Sequence, residues 1–299
     1  MDRFEAMRVL VLSVDRGSFS AASRELRMPL ATVSRKVSEL EAHLGTRLLV
    51  RTTRSLATTD AGRAYLASSR RILEELDEAE RVAAGEFRAP RGELVLTAPI
   101  VFGRLHILPI LAEFLAAYTE INVRLHLSDR NLDLVGEHVD MAVRIGPLPD
   151  SSMVATRVGS MRIVVCVSPE LLAGHGEPQS PEDLAALPCV GFAPVQAASW
   201  RLLNGATGTT QVAINPRLSV STADAAVWAA IRGVGVTRVL HYQCANALRD
   251  GSLRLILAEF EPEPLPVHLL HAARGDLPLK MRVFLDFATA RLRDTLKSL

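Results

Sequence analysis

The chain has 299 residues, with 34 lysines and arginines against 33 aspartates and glutamates, and 48% of its residues are hydrophobic. These values exclude a disordered polyelectrolyte and a collagen-like fibre, and they provide enough apolar material for about two domains. The N-terminus lacks the long apolar segment of a signal peptide, and no uncharged apolar run of 18 residues occurs. We therefore expect a cytoplasmic protein that has no membrane partner.

Three cysteines are present, at Cys166, Cys189 and Cys244. An odd number at wide spacing predicts reduced, buried thiols rather than a disulfide framework. Redox sensing requires two close cysteines near a charge. The intervals of 23 and 55 residues do not indicate such a pair.

The charge is unevenly distributed along the chain. Residues 1–91 hold 16 basic and 13 acidic residues, a net charge of +3, whereas residues 92–299 carry −2. Residues 27–54 alone reach +4. Such a cluster can engage several phosphates, although a solvated charged surface is the alternative. The near-neutral total of +1 therefore does not exclude nucleic acid as a partner.

The first 45 residues have the pattern of three short helices. Apolar residues at helical spacing predict an amphipathic helix over residues 2–15 and a second helix over Phe19–Leu26. Pro29 begins a third helix, which runs to about His43 and ends at Gly45. Two helices joined by a tight turn form a helix-turn-helix, whose second helix enters the major groove of DNA. Polar residues lie off its apolar stripe at Thr32, Ser34, Arg35, Lys36 and Ser38.

Residues 48–59 are predicted to form two short strands around a Thr-Thr-Arg tip, which is the pattern of a wing. Arg51 and Arg54 flank this tip, where they can contact phosphate or enter a narrow minor groove. A charged surface hairpin is the alternative, but a wing is favoured after a helix-turn-helix.

Several motifs stand in a specific order over about 60 contiguous residues. They are Phe4-Glu5-Ala6-Met7, Gly17-Ser18-Phe19-Ser20-Ala21-Ala22, Val33-Ser34-Arg35-Lys36-Val37, Leu40-Glu41 followed by Leu44-Gly45-Thr46-Arg47-Leu48-Leu49, and Arg51-Thr52-Thr53-Arg54. Together they resemble the winged helix-turn-helix of the LysR-type transcriptional regulators. The resemblance implies that the start of the third helix faces bases or phosphates and that the wing arginines face the DNA backbone. The predicted DNA-binding residues are Leu30, Ala31, Thr32, Ser34, Arg35, Lys36, Arg51, Thr53 and Arg54.

Two positions depart from the usual family pattern. Arg27 stands in the turn where the family usually has glycine, so a residue with a side chain must accept that backbone geometry. Pro29 replaces the usual serine or threonine cap. Leu30 and Ala31 cannot hydrogen-bond base edges through their side chains, but they can contact thymine methyl groups.

Residues 60–84 contain no proline and repeat small or apolar residues in steps of three and four. The seam consists of Tyr65, Ser69, Ile72, Leu76, Ala79 and Ala83. A narrow seam is typical of a coiled coil, and a surface helix on its own domain is the alternative. The resemblance implies a head over residues 1–59 and a linker helix over 60–91 that pairs two heads.

After Gly92 the pattern changes to alternating strands and helices, which predicts an α/β fold with sheets covered by helices. Strands are predicted at Leu94–Thr97, Val123–Leu127, Met141–Ile145, Arg162–Val167, Gln211–Ser219, Val236–Leu240, Leu253–Ala258 and Val267–Ala272. Helices are predicted at Ile100–Tyr118, Leu132–Glu137, Ala223–Arg232, His241–Leu248 and Lys280–Leu296, with further helix starts at Ser168-Pro169 and Ser180-Pro181. The segments around 160–162 and 261–266 are predicted to cross between two lobes.

This region resembles the periplasmic-binding-protein-like effector domain of the same family. The similarity lies in Leu96-Thr97-Ala98-Pro99, Phe102-Gly103-Arg104-Leu105, Leu127-Ser128-Asp129-Arg130, Asp140-Met141-Ala142-Val143-Arg144-Ile145-Gly146 and Leu148-Pro149-Asp150-Ser151-Ser152. It implies an effector domain over 92–299, with lobe I over 92–161 and 267–299 and lobe II over 162–266.

A two-lobed fold binds its ligand in the cleft, at the carboxyl ends of strands. Backbone N–H groups after Pro99 favour an anion, and Arg144 can pair with a carboxylate. Helix capping or a rim salt bridge is the alternative for each residue, but together they predict a small organic acid. The predicted effector-binding residues are Thr97, Ala98, Pro99, Ser128, Asp129, Arg144, Ser221 and Thr222.

Enzyme motifs are not found in the sequence. The eight histidines show no His-Glu-x-x-His spacing, and His268 and His271 lie on a predicted strand with their rings on opposite faces. We expect no catalytic residue, no metal and no cofactor, so the protein is not expected to be an enzyme. A transport protein or an enzyme on the same two-lobed fold is the alternative, which the DNA-binding head disfavours.

The sequence thus predicts a bacterial transcription regulator that binds double-stranded DNA and a small-molecule effector. The family resemblance implies paired heads on an interrupted inverted repeat and a homo-oligomer that is a dimer of dimers. RNA polymerase is a further candidate partner.

Overall fold

The structure is a computed structural model that describes residues 1–51, 56–83, 89–130, 133–134, 136–148, 153–192, 199–204, 208–272 and 277–297. The chain divides into two compact units, Met1–Ala89 and Pro90–Leu299. Each unit has its own hydrophobic core.

The first unit is a winged helix-turn-helix followed by a long helix. Its elements are α1 (Arg3–Asp15), α2 (Phe19–Leu26), α3 (Leu30–Leu44), β1 (Leu49–Arg51), β2 (Leu56–Thr58) and α4 (Asp60–Ala83). The helix-turn-helix and both wing strands are confirmed, with helix ends within two residues of the predicted positions. Gly45 ends α3 in the left-handed conformation, with φ of 66°, which a glycine adopts without strain.

The apolar stripes of the helices meet in one core. Ala6, Val9, Ala22, Val33 and Val37 are each fully buried. Leu66 brings the start of α4 into the same cluster. This packing fixes the orientation of α3, since the stripe it buries determines which residues remain exposed.

The second unit contains two five-stranded sheets with the strand orders β4-β3-β5-β14-β6 and β11-β8-β12-β7-β13. Its strands are β3 (Gly92–Ala98), β4 (Ile121–Leu127), β5 (Met141–Ile145), β6 (Met153–Met161), β7 (Ile163–Val167), β8 (Pro188–Phe192), β9 (Ser199–Asn204), β10 (Gly208–Ala213), β11 (Asn215–Val220), β12 (Val236–Leu240), β13 (Arg254–Ile256) and β14 (Leu265–Ala272). Its helices are α5 (Ile100–Phe102), α6 (Leu108–Ala117), α7 (Pro169–His175), α8 (Ala223–Ile231), α9 (His241–Arg249) and α10 (Leu279–Lys297), with a π turn over Gly103–Ile107 and 3-10 turns over Pro181–Ala186 and Ala258–Phe260. The α/β class and the two-lobed architecture are confirmed.

The chain passes between the two sheets twice. It crosses from β6 to β7 at Arg162, and it returns between β13 and β14. Arg162 forms a bidentate ion pair with Glu261 at 2.9 and 2.8 Å, so the two crossing segments are tied together.

Some local predictions for the second unit were wrong. The segment Gln211–Ser219 is not one strand, because β10 ends at Ala213 and β11 begins at Asn215 in a different sheet. The described residues of 132–137 form turns instead of a helix. Strands β6, β8 and β9 have no counterpart among the predicted elements.

Among the described residues, one helical run is long and apolar enough to cross a membrane by composition, Ile100–Ala117. This run includes Arg104 and Glu113. Its buried side chains, among them Phe102 and Phe114, pack in the core of the first sheet, so the run is accounted for as a core helix.

Candidate DNA-binding surface and effector cleft

The turn between α2 and α3 closes in the conformation that the sequence required. Arg27 has a φ of 53° and is left-handed, as a glycine would be. The Met28 N–H donates to the Ser23 carbonyl at 3.0 Å, and the Ser23 hydroxyl donates to the Met28 carbonyl at 2.5 Å. These two bonds hold Arg27 at the surface, between the two helices.

One face of α3 is free of the core. Leu30, Ala31 and Arg35 are exposed, and Ser34 beside them is half-buried. The Arg35 side chain is 68% exposed, and its guanidinium lies 3.6 Å from the Glu39 carboxylate one turn later. An exposed pair of this kind is weak, so Arg35 can exchange it for a phosphate or a base.

Lys36 lies on a different flank of α3. Its Nζ contacts the Glu5 carboxylate of α1 at 2.5 Å, and the side chain is only 16% exposed. Thr32, which precedes it by one turn, is half-buried. The predicted DNA-binding residues of α3 are therefore divided between an exposed face and a flank that faces α1.

The wing is anchored to α3 by a carboxylate. Glu41 accepts hydrogen bonds from the Leu48 and Leu49 N–H groups at 2.8 and 3.0 Å. This contact fixes the first wing strand against the end of the helix. The predicted contacts of Thr53 and Arg54, and of the Arg51 side chain, lie outside the described residues.

The predicted seam of α4 is partly used within the chain. Ser69 is buried, Tyr65, Ile72 and Leu76 are half-buried, and Ala79 is exposed. Leu66 and Leu73, which were not assigned to the seam, are each 8% exposed. Ion pairs from Arg8 to Asp77 at 2.5 Å, and from Arg70 to Asp15, attach α4 to α1.

In the second unit, Asp129 occupies the amino end of the helical run that starts at Ile100. The Ile100 N–H donates to Asp129 Oδ1 at 3.0 Å. The sequence analysis predicted that this N–H group would bind an anionic ligand. In the structure, the carboxylate of Asp129 binds it instead. Ser128 directly follows the neighbouring strand β4, and its N–H donates to the Ala98 carbonyl at 3.0 Å.

The Asp129 carboxylate lies in an environment that opposes its charge. Burial raises the pKa of Asp129, the Ile100 N–H lowers it, and the negative charge of Asp224 on α8 raises it again. Asp129 Oδ2 is buried and has no hydrogen-bond partner. Asp224 belongs to the lobe of the second sheet, so its charge acts on Asp129 from the opposite lobe.

An aromatic cluster joins the lobes beside Asp129. The Tyr242 ring of α9 packs edge-on against Phe102 and His106, with ring centroids 5.5 Å apart in both pairs. Burial lowers the pKa of His106 and raises that of Tyr242. Sequence reasoning missed this cluster, because a histidine and a tyrosine 136 positions apart share no local pattern.

The remaining predicted cleft residues are placed as follows. Thr97 is buried and its Oγ1 has no hydrogen-bond partner, and Pro99 directly precedes α5. Arg144 is half-buried on β5, opposite His268 of β14, and burial lowers its pKa. Ser221 is exposed and Thr222 half-buried, immediately before α8.

All three cysteines are buried and free. Cys166 and Cys244 share one core cluster. The hydrogen bond between their thiols, together with burial, raises the pKa of Cys166. Burial raises the pKa of Cys189 to about 11. Within the described part of the chain, no group of three or more His, Cys, Asp or Glu side chains could hold a metal ion.

Two family models match this chain. Residues 4–63 match the bacterial regulatory helix-turn-helix protein, lysR family, and residues 87–293 match the LysR substrate binding domain. The matched segments contain the helix-turn-helix and both five-stranded sheets.

Curated proteins and solved structures agree with these matches. An HTH-type transcriptional regulator of Xanthomonas campestris is 35% identical, over 95% of this chain and 84% of that protein. The HTH-type transcriptional regulator CrgA of Neisseria meningitidis is 34% identical, over 98% of both chains. The solved structure of CrgA, a LysR-type transcriptional regulator from Neisseria meningitidis, superposes with a TM-score of 0.62 at 33% identity, covering 96% of this chain and 98% of that chain. The full-length structure of the Vibrio cholerae virulence activator AphB gives a TM-score of 0.61 at 27% identity, over 97% and 99% of the two chains.

The arrangement of an exposed helix-turn-helix and a two-lobed α/β domain is thus matched along nearly the whole length of named regulators. The chain belongs to the family of LysR-type transcriptional regulators, with a DNA-binding helix-turn-helix and an effector-binding domain.

Proposed function

We propose that this regulator binds its operator through the exposed face of α3 and responds to a small organic acid held between the two lobes. The observation that carries the DNA-binding part is the exposure of Arg35. Arg24 in the last turn of α2 and Arg27 in the connection to α3 are also exposed. Arginine forms bidentate hydrogen bonds with guanine and with phosphate.

The proposed DNA contacts fall into three groups according to the part of the DNA that they meet. Leu30, Ala31, Ser34 and Arg35 meet the major groove, and the wing residues Arg51, Thr53 and Arg54 meet the backbone or the minor groove. Thr32 and Lys36 are proposed as flanking contacts. Lys36 would have to leave Glu5 to reach a phosphate, so the loss of this ion pair reduces its contribution.

The effector site is proposed at the ends of β3, β4 and β5 and the start of α8. Thr97, Ala98, Pro99, Ser128, Asp129, Arg144, Ser221 and Thr222 are its residues. Arg144 supports the choice of an acid, since a half-buried guanidinium binds a carboxylate more strongly than an exposed one. Asp129 opposes an anion at the Ile100 amide, so we place the ligand carboxylate on the Arg144 side.

We propose the domain organisation and the assembly that the family resemblance implies. Residues 1–59 form the head, 60–91 the linker, and 92–299 the effector domain, with lobe I over 92–161 and 267–299 and lobe II over 162–266. Two linkers pair the heads on an interrupted inverted repeat, as part of a cytoplasmic dimer of dimers. RNA polymerase is proposed as the partner that reads the bound state.

The DNA-binding proposal is tested by Arg35→Ala. Duplexes selected from a random library by the wild-type protein serve as probes, and affinity is measured by fluorescence anisotropy. Loss of one arginine contact weakens binding by about 5- to 150-fold. Arg249→Ala removes the same charge from an exposed position on α9 and should bind normally. If Arg35→Ala, with an unchanged circular dichroism spectrum, binds as tightly as this control, the placement of the recognition face is wrong.

A further inference from the structure

We propose that lobe II has a phosphate-binding site of its own, in which the Arg238 guanidinium binds the phosphate group of a small molecule. Arg238 lies on β12 of the second sheet. The proposed effector residues include a single arginine, Arg144, and it lies on β5 of the first sheet. The inference therefore goes beyond the proposed effector site and adds a second place where this chain recognises a negative charge.

The Arg238 side chain extends from the sheet on a face that an apolar cluster covers. Arg238 lies opposite Val165 of β7. Val236 precedes it by two positions on β12, so its side chain points to the same face. Val165 and Val236 both belong to one hydrophobic core cluster of lobe II. The guanidinium thus starts from the interior of the lobe and not from its outer surface.

The charge of Arg238 is not compensated by the chain. Its Nε is buried and has no hydrogen-bond partner. Burial lowers the pKa of Arg238, and the positive charge of Arg201 on β9 lowers it further. Among the described residues, the charge that acts on Arg238 is therefore one of the same sign. A buried charge is costly unless an opposite charge and hydrogen bonds satisfy it, so the geometry calls for an anion from outside the chain.

A glycine leaves space beside Arg238. Thr237 pairs with Val190 of the parallel strand β8, so Arg238 and Gly191 are the next positions along these two strands. Gly191 in turn pairs with Ser219 of β11. A Cβ atom at Gly191 would lie 3.3 Å from Ser219 Oγ, so the Ser219 hydroxyl borders the space that the glycine leaves open. Arg238, Gly191 and Ser219 form a row across three adjacent strands.

This row lies where open α/β sheets bind their ligands. Strands β8, β11 and β12 run parallel, and each of the three residues stands one or two positions before the end of its strand. Ligands bind in the crevice outside the carboxyl ends of such strands. A group held between Arg238 and Ser219 would therefore be reached from that edge of the second sheet.

The donors of the row match a phosphate group. A guanidinium donates two parallel hydrogen bonds to a phosphate, and the Ser219 hydroxyl can donate a third. The exposed Arg201 adds a second positive charge. A phosphate monoester carries a charge of about −1.5 to −2 at pH 7 and three acceptor oxygens. A carboxylate has one charge and two oxygens, so it compensates two guanidinium groups less well.

Thermal melts of the full chain test this site, with inorganic phosphate as the probe and acetate and chloride at equal ionic strength as comparisons. Every measurement is made in the Arg144→Leu background, so that an anion bound at the proposed effector site does not contribute. Phosphate about tenfold above its dissociation constant should raise the melting temperature by about 4 °C. Adding Arg238→Met weakens binding at least about tenfold, so the rise should shrink to about 1 °C or less.

Arg217→Met is the matched control, since it removes an exposed arginine from β11 of the same sheet. It should preserve the full response to phosphate. Gly191→Ala keeps the charge of Arg238 but places a methyl group in the space beside Ser219, so it should also weaken phosphate binding. Gly174→Ala, whose Cβ would meet no atom within 4 Å, should not.

The inference is overturned if phosphate does not stabilise the Arg144→Leu protein, or if the rise persists in a folded Arg238→Met variant. Should that variant not fold, a full response in Gly191→Ala would have the same meaning. An equal response to acetate would show that the site does not select phosphate, which also contradicts the inference. Because Arg144 is replaced throughout, none of these results bears on the proposed acid site.

Discussion

Asp129 has two opposing effects on stability at the start of the helical run after Pro99, one from its hydrogen bond and one from its buried charge. Its Oδ1 accepts the Ile100 N–H, which satisfies a backbone group that helix formation leaves free. Its Oδ2 is buried without a partner, and the negative Asp224 acts on it from the other lobe. The hydrogen bond stabilises the fold, while the charge is disfavoured by burial.

The Asp129→Asn variant tests whether the charge of Asp129 lowers the stability of the folded state. Burial, opposed by the Ile100 N–H and reinforced by Asp224, raises the pKa of Asp129 in the folded state. Stability therefore falls as pH rises from the ordinary aspartate pKa of about 3.9 through the raised folded value, and the loss persists at neutral pH. The amide variant keeps an acceptor for Ile100, so its melting temperature at pH 7 should exceed that of the wild type. The gain should shrink towards pH 4.

Asp183→Asn is the control of opposite sign. Hydrogen bonds from the Ser180 and Gln179 N–H groups lower the pKa of Asp183. Its ionised form is thus favoured in the folded state, and the variant should melt at a lower temperature at pH 7. If both variants shift in the same direction, the difference between the two carboxylates has been misassigned.

Individual side chains show where sequence reasoning reaches its limit. The helical pattern correctly placed Lys36 off the apolar stripe of α3, but its partner Glu5 is 31 positions away. Likewise, Cys166 and Cys244 hydrogen-bond although 78 positions separate them in the chain. Spacing in the sequence fixes which face a residue occupies within its element, and only the tertiary packing fixes what that face meets.

The secondary-structure elements that the sequence predicted correctly are those with a regular pattern of buried apolar residues. Helix α2 and strands β5 and β12 were predicted with correct bounds, because their apolar residues recur at the helical period or form short continuous runs. Strand β11 has exposed residues along almost its whole length. Because β11 is an edge strand of its sheet, it needs no apolar stripe. The hydrophobic pattern of the sequence therefore does not show where β10 ends and β11 begins.

Helix α4 has more apolar surface than its own chain covers. Leu66 and Leu73 are almost fully buried, but Leu76 is half-buried and Ala79 is exposed. If this strip is the interface between two linker helices, the Leu76→Lys substitution places an unpaired charge in that interface, and burying the charge opposes pairing. We expect Leu76→Lys to lower the molar mass in light scattering by half or more and to weaken DNA binding.

Glu75→Lys introduces the same side chain one position earlier, where the residue is exposed. It should leave the molar mass unchanged. An unchanged mass for Leu76→Lys as well would contradict pairing through this seam, and α4 would then be a helix that serves its own head alone.

The effector domain as a whole behaves as two lobes joined by two crossings. Arg162 and Glu261 tie the crossings together, and Tyr242 packs on Phe102 and His106 across the lobes. A ligand bound between the lobes adds contacts to both, and these contacts disappear on unfolding. Binding must therefore raise the stability of the domain by an amount set by ligand concentration and affinity.

This linkage allows the proposed ligand class to be tested without knowing the ligand. Simple carboxylic acids are compared in thermal melts with their neutral amides, for example benzoate with benzamide and succinate with succinamide. At a concentration 100-fold above the dissociation constant, an acid that binds should add about 2.7 kcal/mol, which raises the melting temperature by several degrees in a domain of this size. The matched amide should have no effect, since it lacks the charge that Arg144 would pair with.

Arg144→Leu should abolish the response to the acid. Arg124→Leu, which removes an exposed arginine paired with Glu93 at 2.9 Å, should preserve it. Equal stabilisation by acid and amide would show that the carboxylate is not what the cleft recognises. Stabilisation by amines alone would instead assign the ligand to Asp129 and Asp224, because a cation bound near them would relieve the repulsion between these two negative charges of opposite lobes.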